Sequence, residues 1–503
     1  MKNIIEMLEN SARKYPDKQV FSDAESGITY SEFLNRVYSV GSSIINSGFN
    51  KEPIAIIAER SVKNLEIMFG VLAGGCFYTV IDSEMPAERI KAIFDTLKPS
   101  AVIATEDCLE KAADVAGGVR VIEYKKAVLC RADKERLLSV RKLMIDTDPA
   151  YVLFTSGSTG VPKGAVVSHK SVLAYTKWYT DTFGITESTV FGSQTPFYFS
   201  MSVSDVFGTV YAGAELAVLP KALFSFPMKL IELMNEKRVN TIYWVPSALA
   251  IIANWKVLDY ENLRFVNKVL FAGEVMPVKQ LNYWRRKLPD ALFANLFGPT
   301  ETTDICTYYI VDREFSDEES LPIGRHCDNC DVFVVREDGT KASCGEEGEL
   351  YARGSFLALG YYNNPEKTAA AFVQNPLNKA YPETVYKTGD LVKYNEKGEL
   401  IYISRKDFQI KHMGYRIELG EIEAAAGAMS EVSSVAAVYD KAEDSIVLIY
   451  EGRQKNTEAV RNALSLKLPV YMMPQKVIRI KAMPHNANGK TDRKWLSENY
   501  KNI

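Results

Sequence analysis

The stretch Thr155-Ser156-Gly157-Ser158-Thr159-Gly160-Val161-Pro162-Lys163-Gly164 follows directly on the apolar run 151–154 and concentrates glycine, hydroxyl and lysine. Glycines let the backbone bend so that successive N–H groups converge, hydroxyls add donors, and Lys163 adds positive charge. Together these make a cradle for phosphate oxygens. The same composition also suits a flexible surface loop. It is not a Walker A loop, because no Gly-x-x-x-x-Gly-Lys-[Ser/Thr] fits. Gly489-Lys490-Thr491 supplies only the last three letters, with Pro484 where the first glycine is required. A second candidate cluster is His326-Cys327-x-x-Cys330 with Cys344 further on. With no second CxxC and only four histidines in the chain, it reads as thiols and not as a zinc site. Neither Gly-x-Ser-x-Gly nor Gly-x-Gly-x-x-Gly occurs, so a hydrolase or dehydrogenase finds no support.

The elements that must position such residues alternate in type. Apolar strand runs recur at 54–58, 78–81, 101–104, 151–154, 216–219, 241–245 and 268–271, separated by segments long enough for crossover helices, which is an α/β pattern. After about residue 321 the texture changes to short strand-like runs at 332–336, 349–352 and 400–404, punctuated by turns such as Glu337-Asp338-Gly339. The last hundred residues return to mixed helix (420–429) and strand (435–439, 446–450). The expected fold is therefore α/β. A large N-terminal body of α/β subdomains with a β-rich subdomain is followed by a small, mobile α+β C-terminal domain.

A chain of 503 residues exceeds one hydrophobic core and allows about three domain-sized units. Lys+Arg 60 against Asp+Glu 63 gives a net charge of -3, which argues for neither a nucleic-acid nor an anionic-membrane partner. The uncharged stretch 67–81 is glycine-broken and too short to span a bilayer. Glu6 and Glu9 interrupt any signal-peptide core, so the expected compartment is the cytoplasm. The odd, scattered cysteines (Cys76, Cys108, Cys130, Cys306, Cys327, Cys330, Cys344) argue against a disulfide framework.

At the 155–164 loop the chain resembles the adenylate-forming superfamily of acyl-CoA synthetases, luciferases and peptide-synthetase adenylation domains. Further patterns of that family follow in order: Ile28-Thr29-Tyr30, 295–303 (NLFGPTETT), 348–372 (GELYARG through NNPEKTAAAF), 386–391 (YKTGDL), 405–423, 468–474 (LPVYMMP) and 488–493 (NGKTDR). YKTGDL and LPVYMMP look most like stand-alone adenylation domains and D-alanine–carrier protein ligases. The resemblance implies a large domain over 1–404, its β-rich part at about 321–404, a hinge at 405–407 and a small domain over 408–503.

It also implies an ATP-dependent, AMP-forming carboxylate ligase with Mg²⁺ as cofactor. In-line attack on the α-phosphorus with departure of pyrophosphate needs positive charge and donors around the phosphates. By resemblance, Thr155, Ser156, Gly157, Ser158, Thr159, Gly160 and Lys163 would hold the β and γ phosphates. Glu301 would coordinate Mg²⁺ and Thr300 would contact the α-phosphate. Asn295 and Phe297 would meet the adenine, Gly298 would belong to the same nucleotide site, and Asp390 with Arg405 would meet the ribose. Lys490 would bridge the substrate carboxylate and the α-phosphate. Asp407 would be the hinge between two half-reactions, and Gly414 would line the passage for a phosphopantetheine arm.

One position departs from the family. Amino-acid-activating relatives carry Phe-Asp-x-Ser-Val, whose aspartate binds the α-ammonium; here the stretch is Phe199-Ser200-Met201-Ser202-Val203. A hydroxyl does not compensate a buried ammonium as a carboxylate does. Carrying the rest of the pocket across places Met201, Ser204, Trp244, Leu270, Ala272, Leu296, Asp304 and Ile305 around the acyl group. Trp244 and Met201 favour a small or flat acid. Asp304 either pairs with an amino group away from the α position or points elsewhere and caps a helix. The expected substrate is an ω-amino acid such as β-alanine, or a hydroxyaryl or short acyl acid, with a small α-amino acid as the alternative. No carrier domain lies within the chain, so the expected acceptor is a separate phosphopantetheinylated carrier protein, with free CoA as runner-up. A luciferase-like oxidation and a non-catalytic ligand sensor on the same scaffold are the remaining alternatives. Retention of Glu301, Asp390 and Lys490 speaks against the sensor.

Overall fold

The strand Pro53–Ile57 is buried along its whole length, as a parallel strand covered by helices on both faces must be. It lies inside a seven-stranded sheet in which Pro149–Thr155, Phe77–Ile81, Pro53–Ile57, Ala101–Ala104 and Arg120–Glu123 run parallel. This computed structural model describes the whole chain except residues 158–160, 318, 407–408 and 485–490. A second sheet of nine strands has Leu292–Phe297, Lys268–Phe271, Thr241–Trp244, Val190–Ser193, Glu215–Val218 and Gln19–Ser22 parallel, with antiparallel strands at both edges.

Helix Val62–Ala73 is buried at every position except Lys63, so it is a central helix and not a surface one. Its Phe69 packs against Phe21 of the nine-stranded sheet and against Phe33 and Phe207 of neighbouring helices, which joins both sheets in one apolar core.

Strand Lys163–Ser168 is not among the runs read from the sequence. It returns antiparallel to Pro149–Thr155, because the intervening turn is too short for the crossover that a parallel neighbour needs.

The β-rich part is an antiparallel sheet of Cys330–Val335, Glu347–Gly354 and Thr384–Tyr394, with Phe372–Gln374 and Leu400–Arg405 both paired to the last of these. Beyond it, Gln409–His412 and Tyr415–Glu418 form a hairpin whose tip contains Gly414. Helices Leu419–Gly427, Thr457–Ser465 and Arg493–Asn499 pack on a sheet of Val432–Asp440, Ser445–Gly452 and Lys476–Ile480. Along Ser445–Gly452, Ile446, Leu448 and Tyr450 enter one small core while Val447 and Ile449 enter another on the opposite face. Among the described residues, no helix is long and apolar enough to cross a membrane.

Candidate active site

A cavity of about 550 Å³ opens beyond the carboxyl ends of the parallel strands, where ligands bind in open α/β sheets. Its walls are the residues that follow the strands: Asp82, Ser156, Gln194, Leu219, Val245, Ala272 and Gly298. Of the residues singled out from the sequence, Thr155, Ser156, Phe199, Ser200, Met201, Ala272, Gly298, Thr300, Asp304, Ile305, Asp390, Arg405 and Gly414 line it. Ser158, Thr159, Gly160, Asp407 and Lys490 lie outside the described residues.

At one end of the cavity, charge is concentrated: Asp390, Arg405, Lys411 and Arg416 line it, while Glu301, Lys163, Gly157 and Phe297 stand behind that lining. Glu301 is fully buried; its Oε1 accepts from the Tyr361 hydroxyl at 2.5 Å and lies 3.8 Å from Lys163 Nζ, and its Oε2 accepts from Arg416 Nη1 at 2.7 Å. Burial alone would neutralise this carboxyl, but Arg416 and Lys163 hold it ionised, far below the usual carboxylate range. Lys163 is pulled down to about 8, by burial first and then by the neighbouring Arg416.

Asp390 accepts from Arg405 Nη1 at 3.1 Å, and the same nitrogen donates to the Thr388 carbonyl at 2.8 Å. Lys411 sits 4.5 Å from the centre of the Phe297 ring. Lys163, Arg405, Lys411 and Arg416 thus crowd the carboxylates Glu301 and Asp390, an arrangement suited to an anionic ligand such as a nucleotide phosphate. Gly157 stands where no other residue fits: a Cβ there would lie 2.0 Å from the Val161 carbonyl oxygen.

At the other end is a polar floor. Asp304 is fully buried, and its Oδ2 accepts from Ser204 Oγ at 2.9 Å, Tyr175 at 3.0 Å and Tyr243 at 3.1 Å. Burial pushes its carboxyl up to about 6, with these hydroxyls and that of Ser200 opposing the rise. Thr300 Oγ1 lies 3.5 Å from Ser200 Oγ, which links the floor to the phosphate end. Asp304 faces the cavity and does not cap a helix.

Several expected lining residues stand behind the wall instead. Trp244 is fully buried with its indole N–H donating to the Gly192 carbonyl at 2.7 Å, and its ring packs on Phe224. Side chains alternate along a strand, so Tyr243, one residue earlier, takes the inward face and Trp244 the outward one. Leu270 and Leu296 are likewise buried off the lining, and Ser204 reaches the cavity only through Asp304. Trp244 therefore takes no volume from the cavity, whereas Met201, Ala272 and Ile305 line it. Asn295 is also off the lining; its Nδ2 donates to the Pro322 carbonyl at 2.8 Å.

The sequence reading missed Tyr175, Tyr243, Tyr361, Lys411 and Arg416 as site residues. No local pattern marks Tyr175 and Tyr243, whereas Tyr361, Lys411 and Arg416 lie in stretches already matched to the family.

Gly414 has φ +82, and a Cβ there would lie 2.5 Å from Val245 Cγ1; its N–H donates to Glu274 Oε1 at 2.7 Å. His326 is exposed while Cys327 and Cys330 are buried, and burial drives both thiols well above their ordinary range. Among the described residues, no group of three or more His, Cys, Asp or Glu side chains forms a metal cage.

A cation-rich recess and a carboxylate-floored pocket sharing one cavity at the strand ends are the parts of an AMP-forming ligase. The chain matches the AMP-binding enzyme family over residues 8–362 and belongs to it. Family membership implies ATP as co-substrate.

The chain is 31% identical to the D-alanine–D-alanyl carrier protein ligase of Lacticaseibacillus rhamnosus over 98% of each chain. It is also 31% identical to the L-proline–[L-prolyl-carrier protein] ligase of Streptomyces coelicolor, covering 98% of this chain and 96% of that one. The adenylation domain AlmE of Vibrio cholerae, solved with glycyl-adenosine-5'-phosphate, superposes with a TM-score of 0.83 at 21% identity, over 99% of this chain and 98% of that one, which is a likeness of fold.

Proposed function

We propose that the protein activates a small amino-bearing carboxylic acid with ATP, releases pyrophosphate, and passes the acyl group from AMP to the phosphopantetheine thiol of a separate carrier protein. The observation that carries this reading is the single cavity with clustered cations at one end and the buried Asp304 carboxylate at the other. Ser200 stands in the sequence where the family's α-ammonium ligand is expected, and the carboxylate available to an amine is that of Asp304 on the floor, which the Ser200 hydroxyl also meets. A carboxylate on the floor in place of one at position 200 favours an acid whose amine is on the β or a more distal carbon, β-alanine being the smallest.

In this reading Ser156, Gly157 and Lys163 hold the leaving phosphates, Thr300 orients the α-phosphate, and the two oxygens of Asp390 accept the ribose hydroxyls, with Arg405 bracing that carboxylate. Phe297 borders the adenine. Glu301, an ionised carboxylate at the phosphate end, is the side chain that would hold Mg²⁺, which supplies charge neutralisation for the phosphates when bound. Lys490 neutralises charge at the reacting carboxylate. Residues 408–503 are the small domain that turns about 405–407 between the two half-reactions, and Gly414 gives the pantetheine arm room. The proposed compartment is the cytoplasm, where ATP is at hand.

The test is acid-dependent ATP–pyrophosphate exchange over β-alanine, D- and L-α-amino acids, hydroxybenzoates and short fatty acids, with Lys490→Ala as control, followed by transfer to a holo-carrier or to free CoA. Exchange with β-alanine above the α-amino acids supports the reading. Preference for D-alanine or L-proline overturns the assignment of Asp304, and acceptance of CoA in place of the carrier overturns that of the acceptor.

A further inference from the structure

The cations described at the phosphate end each answer a carboxylate or a ring of the protein. Lys163 lies 3.8 Å from Glu301, Arg416 donates to Glu301, Arg405 donates to Asp390, and Lys411 sits over Phe297. Burial and Arg416 also pull Lys163 down to about 8. A nucleotide triphosphate brings several negative charges of its own, the outermost on its terminal phosphates.

One further lysine reaches this end from a separate element. A Cβ on Gly157 would lie 3.4 Å from Lys367 Nζ, so that ammonium stands against the backbone of the glycine. Lys367 is partly exposed, and its ammonium keeps contact with water.

Three features set it there. Gly360–Tyr361 pairs antiparallel with Lys163–Ser168, and the Tyr362 N–H donates to the Gly164 carbonyl at 2.8 Å. Asn364 caps the helix Pro365–Ala371, its side-chain oxygen accepting from the Lys367 N–H at 3.1 Å. Thr368 Oγ1 accepts from the Tyr361 N–H at 2.9 Å, which ties the helix back to the strand whose Tyr361 hydroxyl meets Glu301. The segment 360–368 thus brings a hydroxyl to Glu301 and an ammonium to Gly157 together. An ammonium on a flexible stem is a point charge with three donors, which suits a phosphate oxygen.

We propose that Lys367 is a further phosphate-binding residue, its ammonium bonding a terminal phosphate oxygen of ATP and of the pyrophosphate that leaves. This rests on the ATP-dependent reading above and adds a residue to it. AMP has no terminal phosphates, so loss of this ammonium should weaken ATP and spare AMP.

The experiment is isothermal titration calorimetry on the full chain, without any acid, with Mg²⁺-ATP, Mg²⁺-pyrophosphate and AMP. In Lys367→Met, affinity for Mg²⁺-ATP and Mg²⁺-pyrophosphate should fall by about tenfold, equivalent to about 1.4 kcal/mol, while AMP binds within about twofold of wild type. Lys367→Arg should keep ATP affinity within about threefold. Added NaCl should weaken ATP binding less in Lys367→Met than in wild type, because one charged contact is already gone. ATP affinity in Lys367→Met within about twofold of wild type overturns the proposal. So does an equal loss for AMP and ATP, or a loss in Lys367→Arg as large as in Lys367→Met. A wild type that binds no Mg²⁺-ATP removes the parent reading along with it, whereas a wild type that binds and a Met variant that binds equally well removes the assignment of Lys367 alone.

Discussion

Asp304→Asn separates the charge of the pocket floor from its shape. Asparagine is nearly isosteric and still presents a carbonyl oxygen to the Ser204, Tyr175 and Tyr243 hydroxyls, which meet the carboxylate at 2.9, 3.0 and 3.1 Å, so the floor stays filled. What is lost is the negative charge opposite the substrate ammonium. An ammonium left unpaired in a buried site costs about 3–5 kcal/mol, or roughly two to four powers of ten in kcat/KM for β-alanine. Propionate, which has the same skeleton without the amine, loses nothing and should change by less than about threefold. The assay is ATP–pyrophosphate exchange with both acids on both proteins.

The pH profile adds a second readout. The carboxyl of Asp304 is pushed up to about 6, so kcat/KM for β-alanine should fall as the pH drops below that value, while propionate shows no such limb. Tyr243→Phe removes one donor to the charged form, worth about 1.5 kcal/mol, and should move the limb up by about one pH unit. An Asn variant that retains β-alanine exchange within about threefold of wild type would refute the reasoning.

The same buried carboxyl bears on stability. Its folded-state value of about 6 lies above the ordinary 3.8, so its ionisation costs the fold nothing below pH 3.8 and a full penalty, on the order of 3 kcal/mol, above about pH 6. Thermal melts of Asp304→Asn should therefore exceed wild type at pH 7.5 and converge with it near pH 4. Lys163, pulled down to about 8, should lose its charge as the pH rises through that value, weakening kcat/KM for ATP; Lys163→Arg should abolish that alkaline limb. Gly157→Ala puts a methyl 2.0 Å from the Val161 carbonyl, so that carbonyl must move, and KM for ATP should rise by about tenfold with little change in the melting temperature.

Motif order and chemistry were legible in the chain because they are local. A glycine-rich turn after an apolar strand, a TGD beside an arginine-ended strand and a PTE after another strand keep their spacing whatever surrounds them. The alternation of apolar runs likewise announced the α/β body, and the change of texture after 321 announced the antiparallel sheet that begins at Cys330. The return strand Lys163–Ser168 was missed because its apolar run is only Ala165, Val166 and Val167, directly after the stretch read as a loop.

Tertiary structure alone decided which side chains meet. Tyr175 and Tyr243 reach Asp304 across 129 and 61 residues of chain, and nothing in their neighbourhoods signals a shared partner. Trp244 was expected in the pocket and stands outside it because one step along a strand reverses the face, and only the sheet's packing says which face is inner. The pairing of Arg416 with Glu301 spans 115 residues and two parts of the fold. A sequence can state that both residues are charged. That one neutralises the other follows from burial, which removes water and leaves each charge dependent on whatever partner the fold brings within reach.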